Sequence, residues 1–470
     1  MIFGKLAGFS KAKFLFESKD VSNVYGRLSL IGIDPVLEIS GKGNKFEIKR
    51  LNERADGFLE GFKEELGFCD EYKFEGDVVG FVTRESGDFE ESERTKRRNI
   101  AQIVRLFLKK FYLEKREMIG LYGAFSYDFI RLFEEIPSLL PVSEVMDFRL
   151  FLYDTFIFFD HLKDRAEVIL YRDGASGDME KLMKYFENDE GIFDFKVENA
   201  GFELSETDYK GLVENAQDLA RRGELFEVVY SNTLEADFEG DPYGLYLKYR
   251  AINPSPYLFF FDFGDEQLVG ASPEMMVRCE HGVVNLRPIS GTARRGKDPI
   301  EDHENMLELL SSEKERAELD MLIDLGRNDL ARICKPGIKI SDYRFVEKYS
   351  RVMHTVAHLS GELRPEFTAF DSLIACLNAG TLTGAPKVAA MVEIEKNEKT
   401  RRGYYGGTIG YLTLSGEMDT GIIIRTAHIR DGRLNFRVGA TLLYDSDPVS
   451  EYQETLNKAS AFLTTVDYEI

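Results

Sequence analysis

Two segments of this 470-residue chain carry carboxylates at spacings that put them on one helix face. In Ser312-Glu313-Lys314-Glu315-Arg316-Ala317-Glu318, Glu315 and Glu318 stand at i and i+3, and Leu319, Leu322, Ile323 and Leu325 carry the helix onward. Near the C-terminus Ser450 and Gln453 match a capping box, so a helix is expected to start there. Glu451, Glu454 and Lys458 then share one face, with Leu456, Ala459 and Leu463 on another. Mg2+ takes hard oxygen ligands, usually one or two carboxylates with water and substrate oxygens, and one glutamate from each helix would suit it. Two solvated helix faces explain the same spacing.

Glycine-bearing turns lie at Arg287 to Thr292, Asn378 to Lys387 and Gly403 to Gly407. None fits GxxxxGK[ST] or a GxGxxG opening a βαβ unit, so nucleotide binding is unsupported, but their amides and hydroxyls could cradle a carboxylate. They equally serve turn geometry. Arg425, in a β-branched run, is either a solvated edge residue or an anion clamp. His354, in Tyr349-Ser350-Arg351-Val352-Met353-His354, is either a satisfied core histidine or an acid–base group. No Gly-x-Ser-x-Gly nucleophile turn is present.

The elements that position these groups are partly readable. Thr408 to Leu414, Thr420 to Arg430 and Leu434 to Leu443 are expected as an antiparallel meander, turning at Ser415-Gly416 and Asp431-Gly432. On the middle strand Arg425, Ala427 and Ile429 would share a face, opposite Ile422, Ile424, Thr426 and His428. Phe14 to Ser18, Arg27 to Gly32 and Phe148 to Phe159 read as strands; Ile100 to Phe111 and Ser205 to Leu225 read as helices. The charged run Arg84 to Arg98, the stretch Arg172 to Asp178 and Asn188 to Gly191 read as exposed connections. The pattern changes near 200–205, giving regions 1–204 and 205–470, a division that strands pairing across it would make sequential rather than spatial.

With 82 acidic and 60 basic side chains the formal charge is −22, which disfavours a phosphate backbone as partner, so no nucleic acid is expected. No run approaches the ~18–20 apolar residues of a membrane helix, and no apolar signal segment follows Met1, so no membrane association is expected and a cytoplasmic location is. Cys69, Cys279, Cys334 and Cys376 are scattered without a CxxC pair, which indicates neither a zinc cluster nor a disulfide framework.

Taken in order, the segments resemble the chorismate-utilising enzymes, most closely the large subunits that make anthranilate. The resemblance rests on Asn253 to Tyr257, Gly270 to Glu274, Asp324 to Leu330, the stretch through His354, Ala379 to Lys387, Tyr405 to Gly407, Ile424 to Thr426, Asp445 to Pro448 and Glu454 to Lys458. It covers essentially all of 205–465, and the first half more weakly through Phe16-Glu17-Ser18, Asp34-Pro35 and Ser126 to Asp128.

The resemblance implies an α+β fold of packed antiparallel sheets with helices outside. It implies Mg2+ held by Glu318 and Glu454, with Glu315 and Glu451 as neighbours in the metal and water shell. Chorismate contacts carry over to Gly291, Thr292, Thr381, Tyr405, Arg425, Gly439, Ala440, Thr441 and Lys458, with Arg425 and Tyr405 at the enolpyruvyl carboxylate. His354 matches a general acid for departure of the ring hydroxyl, and Glu315, Thr381 and Lys458 join it in the catalytic set. Ammonia would add to chorismate and pyruvate would leave. With no Gly-x-Cys-x-Gly turn in the chain, the ammonia is expected from a separate glutamine amidotransferase subunit, giving a hetero-oligomer. Glu17 and Ser18, opposite Pro256, Tyr257 and Leu258, match an inhibitory tryptophan site.

Isochorismate-forming relatives and aminodeoxychorismate synthases usually carry lysine where this chain has Ser290. Ser290 and Ala379-Gly380-Thr381 favour anthranilate, whereas Thr383 leans towards aminodeoxychorismate. Leu319 stands where relatives usually have histidine, and Thr441 replaces the last residue of a Gly-Ala-Gly turn, a costly change if that position needs φ > 0. These departures keep a non-catalytic, tryptophan-binding subunit as a third reading.

Overall fold

Aromatic and aliphatic runs buried on both faces form the central strands, such as Gly120–Phe125 and Phe148–Tyr153. The computed structural model describes residues 2–6, 8–18, 28–85, 87, 91–172, 176–187, 191–348 and 352–468. Among them, two antiparallel sheets contain eleven and thirteen strands. The strands include β1 (Lys13–Glu17), β2 (Glu227–Gly240), β3 (Tyr257–Asp262), β4 (Met418–Ile422), β5 (Thr426–Arg430) and β6 (Arg433–Leu443). The helices include α1 (Glu206–Arg221), α2 (Pro242–Ile252), α3 (Glu313–Ala331) and α4 (Pro448–Thr465).

The first sheet has the order Arg165–Leu170, Thr155–Asp160, Leu28–Ile33, β1, β3, Glu266–Ser272, β5, β6, β2 and Phe195–Phe202. The second passes through Ile289–Arg294, Val352–Glu362, Val283–Leu286, Met275–Glu280, β4, Thr408–Thr413, Gly120–Phe125 and Phe148–Tyr153. Both sheets take strands from either side of residue 204, so that division lies in the sequence alone. An aromatic layer that includes Phe14, Tyr122, Tyr153, Phe259 and Phe261 fills the space between them. Phe14 stacks on Tyr122 at 4.7 Å and meets Tyr153 edge-on at 5.0 Å. Helices α2 and α4 cover the outer face of the first sheet, where Phe462 stacks on Phe436 at 3.9 Å. Helix α3 and the helix Ala369–Cys376 pack on the second.

The backbone passes quickly from one sheet to the other at 34–36, 154, 273–274 and 423–425. The last crossing corrects the expected strand Thr420 to Arg430. It is two strands in different sheets, broken at Ile423 to Arg425, with Arg425 at φ +50°. The Asp431-Gly432 turn forms as expected, both residues having positive φ.

Two further expectations change. The run Arg84 to Arg98 is not simply a solvated connection: Arg94 and Arg97 are each only 6% exposed. Arg97 donates to the carbonyls of Phe133 (2.8 Å) and Glu85 (3.0 Å), and Arg94 pairs with Glu134, so backbone carbonyls and a carboxylate replace water around the two guanidinia. Helix α4 begins before Ser450, because the Asp447 side chain accepts from the Ser450 N–H at 2.9 Å and Pro448 occupies the first turn. By contrast α1 begins on the capping box of Ser205 and Asp208. Arg27, 86, 88–90, 173–175, 188–190 and 349–351 lie outside the described residues.

Candidate active site

Helix α3 starts on the Ser312 hydroxyl, which accepts from the Glu315 N–H at 3.2 Å, and its first turns present Glu315 and Glu318 to the strand Ile289–Arg294. Ser290 donates to Glu318 at 3.3 Å. Gly291 has φ +71°, and a β-carbon there would lie 2.7 Å from Glu315 Oε2, so glycine permits both the turn and the close carboxylate. Burial raises the carboxyls of both glutamates above the usual range, and Glu318 is pushed further by Glu315.

His354 Nδ1 faces the Gly291 carbonyl at 2.8 Å and the Thr292 hydroxyl at 3.1 Å. A carbonyl only accepts, so Nδ1 carries the proton and the neutral ring keeps a basic Nε2. Burial lowers this imidazole to about 4. To act as an acid it must first take up a proton, which an anionic ligand beside it would favour.

On α4, Ser446 donates to Glu451 at 2.7 Å, Lys458 lies 3.7 Å from Glu454, and Lys458 Nζ donates to the Gly439 carbonyl at 3.0 Å. Burial lowers the Lys458 ammonium below its ordinary value. Lys314 influences both Glu318 and Glu451, and Asp445 influences Glu318, so the start of α3 faces the start of α4 electrostatically. No group of three or more His, Cys, Asp or Glu is gathered tightly enough to hold a metal among the described residues. The donor chemistry nonetheless fits Mg2+ completed by water and a substrate oxygen, because half-buried glutamates that repel their neighbours on each of two facing helices gain from a divalent cation.

Strand β6 supplies the floor. Gly439 lies opposite Ser231 of β2, and a β-carbon on it would come 2.7 Å from the Tyr230 carbonyl and 2.8 Å from the Tyr405 hydroxyl. The Ala440 N–H, a candidate substrate donor, is turned to the Tyr209 hydroxyl at 3.2 Å. Thr441 pairs with Val229 in ordinary extended backbone, so the β-branched residue carries no left-handed strain. Leu319 is fully buried in the core of the second sheet, where an apolar side chain suits its surroundings.

Arg425 sits at the sheet crossing. Its guanidinium makes no hydrogen bond or ion pair among the described residues, and it contributes positive potential at Glu274, His354 and Lys458. Two carboxylates escaped the sequence reading of the site. Glu274, at the 273–274 crossing, accepts from Thr381 at 2.9 Å and is pushed up to about 7 by burial, against the hydrogen bond, Arg425 and Lys458. Glu227 opens β2 between Ala385 and Leu443; it is buried, its Oε1 has no hydrogen-bond partner among the described residues, and burial followed by the charge of Glu318 pushes it up to about 7. The lone Glu before Met275 and the one in Phe226-Glu227-Val228-Val229 have no spacing signal; a carboxylate opening an otherwise apolar strand was the available clue.

A second locus lies in the first sheet. Glu17 of β1 is paired with Leu258 of β3, which brings the expected segment and its opposing wall together. Its carboxylate accepts from Ser29 (3.0 Å), Tyr246 (2.6 Å) and Arg250 (2.8 Å). The Ser18 hydroxyl is buried without a hydrogen-bond partner among the described residues, and Tyr257 donates to Asp419 at 2.9 Å.

The site thus gathers paired glutamates, an arginine with no partner among the described residues and a half-buried lysine, charges suited to an anionic ligand. The profile of chorismate binding enzymes matches residues 67–464, and this chain belongs to that family. A relative from Acetivibrio thermocellus, named anthranilate synthase component 1, is 34% identical and spans 97% of this chain and 90% of its own. One of the same name from Neisseria gonorrhoeae is 41% identical over 73% of each chain. The crystal structure of anthranilate synthase component I from Streptococcus pneumoniae superposes with a TM-score of 0.70 at 33% identity, covering 95% of this chain and 93% of that one. The menaquinone-specific isochorismate synthase of Escherichia coli, 16% identical with a TM-score of 0.68, shares the fold. The chain is therefore an enzyme acting on chorismate. No helix among the described residues is long and apolar enough to cross a membrane.

Proposed function

We propose that this chain is the chorismate-converting subunit of an anthranilate synthase in tryptophan biosynthesis, adding ammonia to chorismate and eliminating pyruvate. The observation that carries the reading is the Arg425 guanidinium, unpaired among the described residues, in the positive field it shares with Lys458 at Glu274, with Glu451 and Glu454 of α4 beside that lysine. Glu318 and Glu454 would hold Mg2+, with Glu315 and Glu451 as neighbours for its water, and a cation held there would supply charge neutralisation for the ring carboxylate of chorismate. Arg425 and Tyr405 receive the enolpyruvyl carboxylate, and Lys458 adds positive charge while staying anchored to Gly439. Thr292 and the Gly291 carbonyl hold His354 so that its Nε2 can exchange a proton at the departing hydroxyl. Ser290, bound to Glu318, offers no amine to compete with ammonia. The Thr383 hydroxyl donates to the Ala379 carbonyl at 3.0 Å, a bond that a serine hydroxyl would make equally.

The relatives' designation as component 1 supports a second component, and we assign that role to a glutamine amidotransferase delivering ammonia in the cytoplasm. The buried Ser18 hydroxyl beside Glu17, without a partner among the described residues, supports tryptophan as a feedback inhibitor there. The test is purified chain with chorismate, Mg2+ and an ammonium salt at mildly alkaline pH. Anthranilate and pyruvate, lost on adding a chelator, are expected. Aminodeoxychorismate without pyruvate would move the chain to the folate branch, and unconsumed chorismate with intact tryptophan binding would make it a regulatory subunit.

A further inference from the structure

The Arg425 carbonyl is held by two donors, the Ala271 N–H at 3.1 Å and the Tyr249 hydroxyl at 3.2 Å. At φ +50° Arg425 occupies a left-handed region that disfavours a residue with a β-carbon, and it stays there only while its neighbours fix it. Ala271 fixes the side facing its own sheet. Tyr249 reaches across from α2, is 1% exposed, and lies edge-on to Phe462 of α4 at 5.5 Å. Asn253 donates to the Tyr249 oxygen at 3.2 Å, which leaves the phenolic proton for Arg425. The same turn of α2 carries Tyr246 and Arg250, two of the three residues whose side chains grip Glu17. One helical turn thus touches the arginine, the Glu17 segment and the helix that bears Glu451, Glu454 and Lys458.

We infer that Tyr249 is a positioning residue that aims the Arg425 guanidinium, and that α2 transmits the state of the Glu17–Ser18 segment to it. The inference rests on the proposed reading of Arg425 as the clamp for a substrate carboxylate. A carboxylate clamp binds substrate and transition state alike, so mis-aiming it raises KM and spares kcat, a pattern that loss of scaffold integrity does not produce. A ligand that displaces Glu17 from Tyr246 and Arg250 shifts their turn, and Tyr249 with it.

Tyr249→Phe deletes the hydroxyl and keeps the ring against Phe462. With chorismate and saturating ammonium, KM is expected to rise about three- to tenfold while kcat stays within about twofold. Saturating tryptophan is expected to raise KM less in this variant than in the parent. Asn253→Ala, which lets the hydroxyl turn away, carries the same expectation if Tyr249→Phe does not fold. An unchanged KM alongside a raised KM in Arg425→Lys would overturn the inference and leave the clamp standing. Unchanged KM in both would overturn the clamp itself. A raised KM with an unaltered tryptophan response would overturn transmission through α2, whereas a parent insensitive to tryptophan would overturn the proposed feedback.

Discussion

The Tyr405 hydroxyl lies where a β-carbon on Gly439 would come within 2.8 Å of it, while the Tyr230 carbonyl on the neighbouring strand would lie 2.7 Å away. The side chain could swing aside, but the carbonyl belongs to the β2–β6 ladder and cannot. Gly439→Ala is therefore expected to displace Tyr405, lower stability by ~1–3 kcal/mol and raise KM for chorismate. Thermal unfolding and steady-state kinetics check both effects; an unchanged KM would remove Tyr405 from the substrate site.

Glu318 and Glu454 sit on different helices, so either alone should be insufficient for Mg2+. Glu318→Gln and Glu454→Gln are each expected to lower activity by at least about a hundredfold and to weaken Mg2+ binding by calorimetry. Without metal, Glu318→Gln should also unfold at a higher temperature than the parent, because it relieves repulsion with Glu315 and Glu227. Normal Mg2+ affinity in either variant would disprove the metal assignment.

Glu227 gives a pH signature. Its folded pKa of about 7 lies above the ordinary 4.5, so the native state holds the proton more tightly than the unfolded chain. The group costs nothing below about 4.5, and its cost grows as pH rises towards about 7 and then levels off. Glu227→Gln is expected to stabilise the metal-free protein at pH 8 by up to ~3 kcal/mol and to gain much less at pH 5. Equal gains at both pH values, measured by denaturant unfolding, would contradict a strained carboxylate.

His354 should be neutral, with its proton on Nδ1, in the ligand-free protein at pH 7. Nitrogen NMR of the imidazole reads this directly, and a doubly protonated ring would refute it. The sign for stability is fixed too. The unfolded ring charges below about 6.5 while the folded ring resists until about 4, so this group erodes stability as pH falls through that window.

The glutamates of α3 and α4 were legible because helical period places Glu315 with Glu318 and Glu451 with Glu454 whatever the tertiary setting. Burial was not. Arg94 and Arg97 looked solvated in a charged run because groups distant in sequence satisfy them, the Phe133 carbonyl for Arg97 and the Glu134 carboxylate for Arg94. Glu274 and Glu227 escaped because a lone carboxylate carries no period. The crossing at Arg425 was hidden by reading Thr420 to Arg430 as one alternating strand, although Ile422-Ile423-Ile424 breaks alternation and marks a segment enclosed on both sides. Thr441 looked strained by analogy with a turn, but that position is continuous strand.

The interleaved strand order has a consequence for synthesis on the ribosome. Strand β1 must lie between Leu28–Ile33 and β3, and Gly120–Phe125 must lie beside Thr408–Thr413, yet both later partners are translated only after the whole first half has emerged. The nascent chain therefore exposes phenylalanine-rich strand edges whose partners do not yet exist, the condition that favours misassociation. Holdase chaperones should engage this protein during most of its elongation, and release should follow only when the last strands have threaded between those already made.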